Sequence, residues 1–398
     1  MIQRSKSLIY VGGFELPDKN AAAQRVTSNA KLFKSLDYEC YFVGITKDID
    51  HRSIDIDLET SKNKYSFPQK YPSSLKSWIK YLTDLTFIVD VIENKIAKRI
   101  DIIVAYNYPA FTLWRLNSYC KKNKIKLIAD VTEWYQPKGN FFYKVIKGLD
   151  TYFRMYVLHK QLDGIISISS YLTLFYKNQN VIQLPPLVDI YSEKWKKKSG
   201  EKVVPKERVF CYFGSPGIGG KDKLDIIIQA LSNVRLSCSN FKLHIIGITN
   251  DEYCNLFNTF GVPNNMADHV DFKGRLGHKD TISFLQKSDY SIIFRERNRV
   301  TTAGFPTKFV ESISAGIPVL SNKTSNIDDY LIPGKFGFIL DDSTMSSLTE
   351  SFLQAILVDD KSLEQMKANC RKTKIFHYES YNNPLAKFLD SLYLEQKK

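Results

Sequence analysis

A chain of 398 residues, 43% hydrophobic and 13% aromatic, is long enough to bury the cores of two domains and too apolar to remain disordered. Its 56 Lys and Arg against 42 Asp and Glu leave a net charge of +14, which suits anionic lipid headgroups, a phosphorylated substrate or nucleic acid. No recognition helix, zinc finger or RNA-binding sheet signature accompanies that charge, so no nucleic-acid partner is expected; the 6 cysteines and 6 histidines show no ligand spacing, which argues against a zinc ribbon, a small disulfide scaffold or a metal site.

The first residues, Met1 to Ser7, carry no apolar signal region, and no later stretch reaches the length of a membrane span. The scattered thiols fit a reducing compartment. A cytoplasmic protein is expected, peripheral at the inner face of the plasma membrane if its basic and aromatic segments meet lipid.

Strand and helix patterns alternate along the chain, the mark of α/β architecture with parallel sheets and crossover helices. Short apolar runs predict strands at 8–12, 40–45, 102–106, 126–130, 164–167 and 181–184. After the first strand, Gly12-Gly13 makes a turn before a helix. Asp55 and Asp57 lie in a polar surface loop. Ile79, Leu82, Leu85, Ile88, Val89, Ile92 and Ile96 recur at three- and four-residue spacing and predict one helix over 77–99. Aromatic and basic residues mix at 71–81 and again at 141–147, a composition that suits a membrane surface and equally suits helices turning their rings inward. Asp130 and Glu133 follow the strand 126–130 and are candidates to orient or deprotonate hydroxyls, with Trp134 or Tyr135 stacking on a sugar.

Pro185-Pro186 ends the first alternating set, and a charged stretch follows. Domains are placed at 1–190 and 207–376, joined by a linker at 191–206, with a closing helical segment at 377–398. The second set has strands at 209–214, 242–247, 270–272, 290–294 and 319–321, with a helix at 224–231. Between its first strand and that helix, Gly214-Ser215-Pro216-Gly217-Ile218-Gly219-Gly220-Lys221 is glycine-rich enough to approach a phosphate, yet is neither a Walker loop nor a Gly-x-Gly-x-x-Gly fingerprint. Gly274-Arg275 follows the third strand, and Arg295 and Arg297 follow the fourth.

The most informative stretch runs from Ala303-Gly304-Phe305-Pro306-Thr307-Lys308-Phe309 through Glu311 to Ala315-Gly316-Ile317-Pro318-Val319. It reads as loop, helix, tight turn and buried strand, with Pro306 in the first helical turn. The N–H groups of Thr307, Lys308 and Phe309 would face an anion, with the Lys308 ammonium and Thr307 hydroxyl adding to the field. Glu311, one turn in, would accept two hydrogen bonds from a ribose diol. Together these read as a nucleoside-diphosphate site.

This stretch resembles the donor site of the group 1 glycosyltransferases, the retaining family four whose GT-B fold sets two Rossmann-like domains across a cleft. The likeness covers most of the chain. Of the family's Glu-x7-Glu motif, the second glutamate corresponds to Glu311, and Ala315, Gly316, Pro318 and Val319 fit its turn and strand; Ala303 stands where the first glutamate contacts the donor sugar. The Phe-Pro-Thr-Lys-Phe loop resembles that of bacterial surface-polysaccharide transferases. The resemblance implies that Gly304, Phe305, Thr307, Lys308 and Phe309 border the donor, that Gly12, Gly13, Gly214 and Ser215 approach its diphosphate, and that backbone at Arg275 meets the base. Lys221 matches the loop lysine, while Ser215 replaces the usual arginine, a vacancy Arg295 or Arg297 would fill. Glu133, with Asp130, would take the acceptor-side role that relatives often give to histidine, and the closing helix would return to the first domain.

The implied activity is retaining, metal-independent transfer of a sugar from a nucleoside-diphosphate donor, UDP by family habit, to a glycan or lipid-linked oligosaccharide of capsule, O-antigen or another envelope polymer, with no resident cofactor. Two alternatives stand beside it. One is a nucleotide-sugar epimerase of the same architecture. The other is a silent glycosyltransferase-like subunit, favoured by Ala303 and Ser215 and opposed by the joint presence of Lys221, Lys308 and Glu311.

Overall fold

The computed structural model describes residues 6–17, 19–47, 66–135, 141–196, 207–217 and 220–394. The Asp55/Asp57 loop, most of the expected linker, and Ile218 and Gly219 of the glycine-rich loop lie outside these residues. The chain divides into two units: residues 1–187 with 377–398, and 188–376.

In the first unit, β1 (Lys6–Gly12), β2 (Tyr38–Val43), β5 (Ile102–Tyr106), β6 (Lys126–Val131), β7 (Gly164–Ser167) and β8 (Val181–Gln183) form one sheet in the order β2-β1-β5-β6-β7-β8. Every pairing in it is parallel. The runs are apolar throughout because helices cover both faces, so alternate residues feed two separate cores. Leu8, Tyr10, Phe42, Ile102 and Val104 enter one. Ile9, Val11, Val43, Ile103 and Leu127 enter the other. A short pair, β3 (Ile45–Thr46) and β4 (Gln69–Lys70), lies apart from the sheet.

The helix Asn382–Leu394 belongs to this unit and places Leu385, Phe388, Leu389 and Leu392 in the core that contains Leu8 and Tyr10. Their spacing is that of one helical face. Gly164 permits the close packing: a Cβ there would stand 2.6 Å from the Phe388 ring.

The continuous helix expected over 77–99 is instead three pieces, Leu75–Thr83, Thr86–Asp90 and a wider turn at Val91–Lys95. Asp84 breaks it. Its backbone is extended (φ −102°, ψ 130°), and its carboxylate accepts from the Thr86 N–H at 2.9 Å, so a side chain replaces the helical bond while the apolar spacing runs on unbroken.

The second unit repeats the plan with β9 (Arg208–Phe213), β10 (Phe241–Ile246), β11 (Val270–Gly274), β12 (Tyr290–Ile293), β13 (Val319–Ser321) and β14 (Gly337–Ile339), in the order β11-β10-β9-β12-β13-β14. The edge strand β14 has no counterpart in the sequence reading, where a three-residue run that begins with Gly337 gave too short a pattern. All pairings are again parallel. In each sheet the connections leave the first strand in both directions, which creates a switch point: between β1 and β5 in the first unit, and between β9 and β12 in the second. Crevices for ligands form at the carboxyl ends of strands flanking such a point.

Candidate functional site

At the switch point of the second unit, β9 runs into Gly214-Ser215 and β12 into Arg295. Both segments are stapled together by backbone bonds from Lys223 N–H to Phe294 O (2.9 Å) and from Glu296 N–H to Lys221 O (3.1 Å). Buried Asp222 occupies the centre. Its Oδ1 accepts from Arg295 Nε at 2.9 Å; its Oδ2 accepts from Lys308 Nζ at 2.6 Å and from the Tyr212 hydroxyl at 2.8 Å. Lys308 also donates to that hydroxyl at 2.8 Å and lies 4.0 Å from the centre of the Tyr212 ring.

One carboxylate thus faces two cations, which leaves surplus positive charge in a largely desolvated place. Burial opposes ionisation of Asp222, but Lys308 and Arg295 outweigh it and hold the carboxyl below its usual range. Burial pushes Lys308 down to about 8, with Asp222 resisting and Arg295 reinforcing the fall. The other guanidinium nitrogens of Arg295 have no hydrogen-bond partner among the described residues. Gly214 (φ +88°) is required here, since a Cβ would come within 2.8 Å of Lys308 Cε. Ser215 is exposed, and its hydroxyl accepts from Gly217 N–H at 3.2 Å. Lys221 is exposed beside Gly217. Arg297 is spent elsewhere, donating to Asp342 at 2.7 Å.

Helix Thr307–Ser314 points its first turn toward this cluster through Lys308. Three details differ from the sequence reading. Ala303 ends a separate short helix, Arg299–Ala303, capped by Asn298, and is buried rather than in an open loop. Pro306 is the N-cap with extended backbone (φ −72°, ψ 111°), so the helix begins at Thr307. The N–H of Phe309 donates to Pro306 O at 3.0 Å and does not point outward; its ring, with Phe305, packs in an aromatic cluster around Phe376 and Tyr330. Phe305 and Phe309 are therefore core side chains that shape the loop from beneath. Gly304 is half-buried between the two helices.

Glu311 is half-buried, and its Oε1 lies 3.0 Å from His278 Nε2. His278 begins the helix His278–Leu285, just after the Gly274-Arg275 turn. Sequence reasoning missed this partner because the two residues lie on separate crossover helices. The Arg275 side chain is itself exposed and donates to Glu252 at 2.7 Å.

In the first unit, Gly12 is buried and Gly13 exposed at the end of β1. Asp130, expected at the mouth of a crevice, is instead fully buried. Arg25 donates to it from Nε at 3.0 and 3.1 Å and from Nη2 at 2.7 Å, and Asn29 Nδ2 lies 3.3 Å away. Arg25 Nη1 then reaches the Leu184 carbonyl at 3.0 Å, so the Arg25–Asp130 pair ties the helix Ala21–Lys34 to β6 and the end of β8. That is a correction: Asp130 has no surface on which to hold an acceptor. Glu133 remains partly exposed, accepts from Asn107 Nδ2 at 3.4 Å, and lies against the Tyr135 hydroxyl, which burial and then Glu133 raise well above its ordinary value. Trp134 is buried among Tyr156, Tyr171 and Phe175 and cannot stack on a sugar in this arrangement.

Among the described residues no group of His, Cys, Asp and Glu is arranged to hold a metal ion, and no helix is long and apolar enough to cross a membrane.

Residues 193–373 match the family described as glycosyl transferases group 1. No curated protein sequence matches the chain. Solved structures share the fold at low identity. HepE of Anabaena, in complex with UDP and glucose, is 13% identical over 97% of this chain and 100% of its own, with a TM-score of 0.64. Sucrose-phosphate synthase of Thermosynechococcus elongatus is 12% identical over 98% and 100%, at 0.69. TarM of S. aureus, a mutant in complex with UDP, fondaparinux and an α-GlcNAc-glycerol, is 11% identical over 98% and 100%, at 0.67. The match to the group 1 glycosyl transferases thus falls on residues 193–373, in a chain whose two parallel-sheet units have the GT-B fold.

Proposed function

We propose that the chain transfers a sugar, with retention at the anomeric carbon, from a UDP-linked donor held by the second unit to a glycan acceptor held by the first, in the synthesis of a bacterial capsule, O-antigen or other envelope polysaccharide. The observation that carries this reading is the cationic cluster of Arg295 and Lys308 around Asp222 at the β9/β12 switch point. A diphosphate there would meet Arg295, the Lys308 ammonium and the first N–H groups of the helix Thr307–Ser314, with Lys221 at the rim. As the glycosidic bond breaks, the leaving diphosphate gains charge, and preorganised donors stabilise it more than they stabilise the ground state. Glu311, oriented by His278, accepts from the ribose diol. Glu133, held by Asn107, orients the acceptor hydroxyl.

UDP-bound HepE and TarM support the choice of nucleotide. Metal independence belongs to the same reading, so activity is expected to survive EDTA; a loss restored by a divalent cation would remove that part. The competing silent-subunit reading draws on Ala303, buried where a glutamate would meet the donor sugar. A panel of nucleotide sugars decides between them, with hydrolysis and binding measured for wild type and Glu311→Ala without added metal. Selective binding and slow hydrolysis of one UDP-sugar, with affinity reduced at least about tenfold in the variant, is the expected result. Binding of none of them sinks the transferase.

A further inference from the structure

The two aromatic and basic segments at 71–81 and 141–147 meet in the first unit around a cavity of about 570 Å³. It lies among the helices Leu75–Thr83, Ala110–Asn123 and Phe141–Tyr152. Its walls are apolar: Trp78, Leu82, Phe111, Trp114, Ile146 and Leu149. These side chains have not been turned inward. Phe111 and Trp114 are 51% and 52% exposed and Ile146 is 66% exposed, while the helix Leu75–Thr83 has no buried residue although its apolar positions recur at helical spacing. The volume is that of a pocket for one small molecule.

One end of the cavity is cationic. The Arg154 side chain is only 3% exposed, stacks 4.7 Å from the centre of the Tyr135 ring, and donates from Nη1 to the Asn107 and Tyr108 carbonyls at 3.3 and 3.5 Å. Its Nη2 is buried without a hydrogen-bond partner among the described residues. Lys147 lies on the same ring at 4.6 Å. The nearby Asp150 does not settle this charge: its Oδ1 accepts from the Ala110 N–H at 2.7 Å, and its Oδ2 stays 3.9 Å from Arg154. A buried guanidinium nitrogen without an acceptor is costly, and an anion arriving through the apolar opening would satisfy it. Asn107 and Tyr135, which line this end, are the residues that contact Glu133.

We propose that this cavity binds the proximal hydrocarbon of a lipid phosphate, with Lys147 and Arg154 on the phosphate and the remainder of the molecule directed past Tyr135 toward Glu133. An amphiphile of that kind satisfies both halves of the site, whereas a free anion leaves the apolar walls wet and a neutral lipid leaves Arg154 Nη2 without an acceptor. The inference rests on the proposed transferase only in making this lipid the anchor of the acceptor.

The test uses the full chain without nucleotide, titrated below the micellar range with farnesyl phosphate, farnesol and inorganic phosphate. Calorimetry is expected to show farnesyl phosphate binding at least about tenfold tighter than farnesol, and no binding of phosphate alone. Ile146→Asp, at an exposed wall position, should weaken both lipids about tenfold or more. Lys147→Gln should weaken only the phosphorylated one, by about fivefold. Equal affinity of the two lipids, or an unchanged affinity in Ile146→Asp, overturns the proposal. So does binding to phosphatidylglycerol vesicles in the absence of any farnesyl phosphate binding, which would make this a membrane-surface patch rather than a pocket. The Glu311→Ala variant should bind the lipid as wild type does, so failure of sugar transfer and failure of this pocket are read separately.

Discussion

Asp222 governs the charge of the second unit's switch point. Asp222→Asn would leave Arg295 and Lys308 facing each other without an anion, at a cost of about 3–5 kcal/mol, read as a lowered urea midpoint. Lys308 gives the same cluster a pH dependence. An unfolded lysine keeps its proton to near 10.5, whereas the folded one releases it near 8. Between those values the unfolded chain binds more protons, so this group's penalty on folding is full below about 8 and is relieved as pH rises toward 10. Affinity for a diphosphate runs the other way. UDP binding is expected to weaken about fivefold from pH 8 to pH 9, and Lys308→Met to bind weakly with no such slope, as calorimetry would show; a wild-type affinity flat across this range would separate Lys308 from the donor. Glu311 and Thr307 were legible in the sequence because one helical turn links them. The rest of the cluster was not. Asp222 is 86 residues from Lys308 and 73 from Arg295, and His278 is 33 from Glu311, separations that only the strand order brings together.

The short helix that carries Glu311 depends on how it stops. Ile317 N–H closes back on Ser312 O at 2.9 Å and Gly316 N–H on Ile313 O at 3.0 Å, with Gly316 at φ +81°. A Cβ on Gly316 would also stand 2.5 Å from Arg371 Cγ. Gly316→Ala is therefore expected to cost about 1–2 kcal/mol in chemical denaturation, left-handed strain and the displaced Arg371 acting together. The Ala-Gly-Ile-Pro-Val string could be read in advance as turn and strand, since each residue states its own backbone need. The break at Asp84 could not: periodicity reports which face is buried and is indifferent to whether a carboxylate has interrupted the ladder. Buried parallel strands were the most readable elements because both of their faces are apolar, and β14 was lost for its brevity.

Across the whole molecule the sequence announced two parallel sheets, because two runs of alternating elements flank one proline-rich break. The depth of individual carboxylates was less visible, and Asp130 shows why: its position after a strand fits a crevice mouth or a buried clamp, and only Arg25, 105 residues away, decides. The closing segment is the other long-range element. Removing residues 377–398 would strip Leu385, Phe388, Leu389 and Leu392 from the first unit's core, a loss of about 6–12 kcal/mol that approaches the stability of a whole domain. Residues 1–376 are expected to show native-like protection from proteolysis only in the second unit; full protection of the first would contradict this.

That shared ownership of the first unit has a consequence during synthesis. A ribosome emits residues 188–376 as one uninterrupted stretch, able to close its own core once it has emerged, while the earlier unit waits for a helix encoded after that stretch. Domains commonly mature in the order in which they are made. Here the half that is translated first is the half that is finished last, and its unclosed apolar sheet face is exposed for the duration of one further domain's translation.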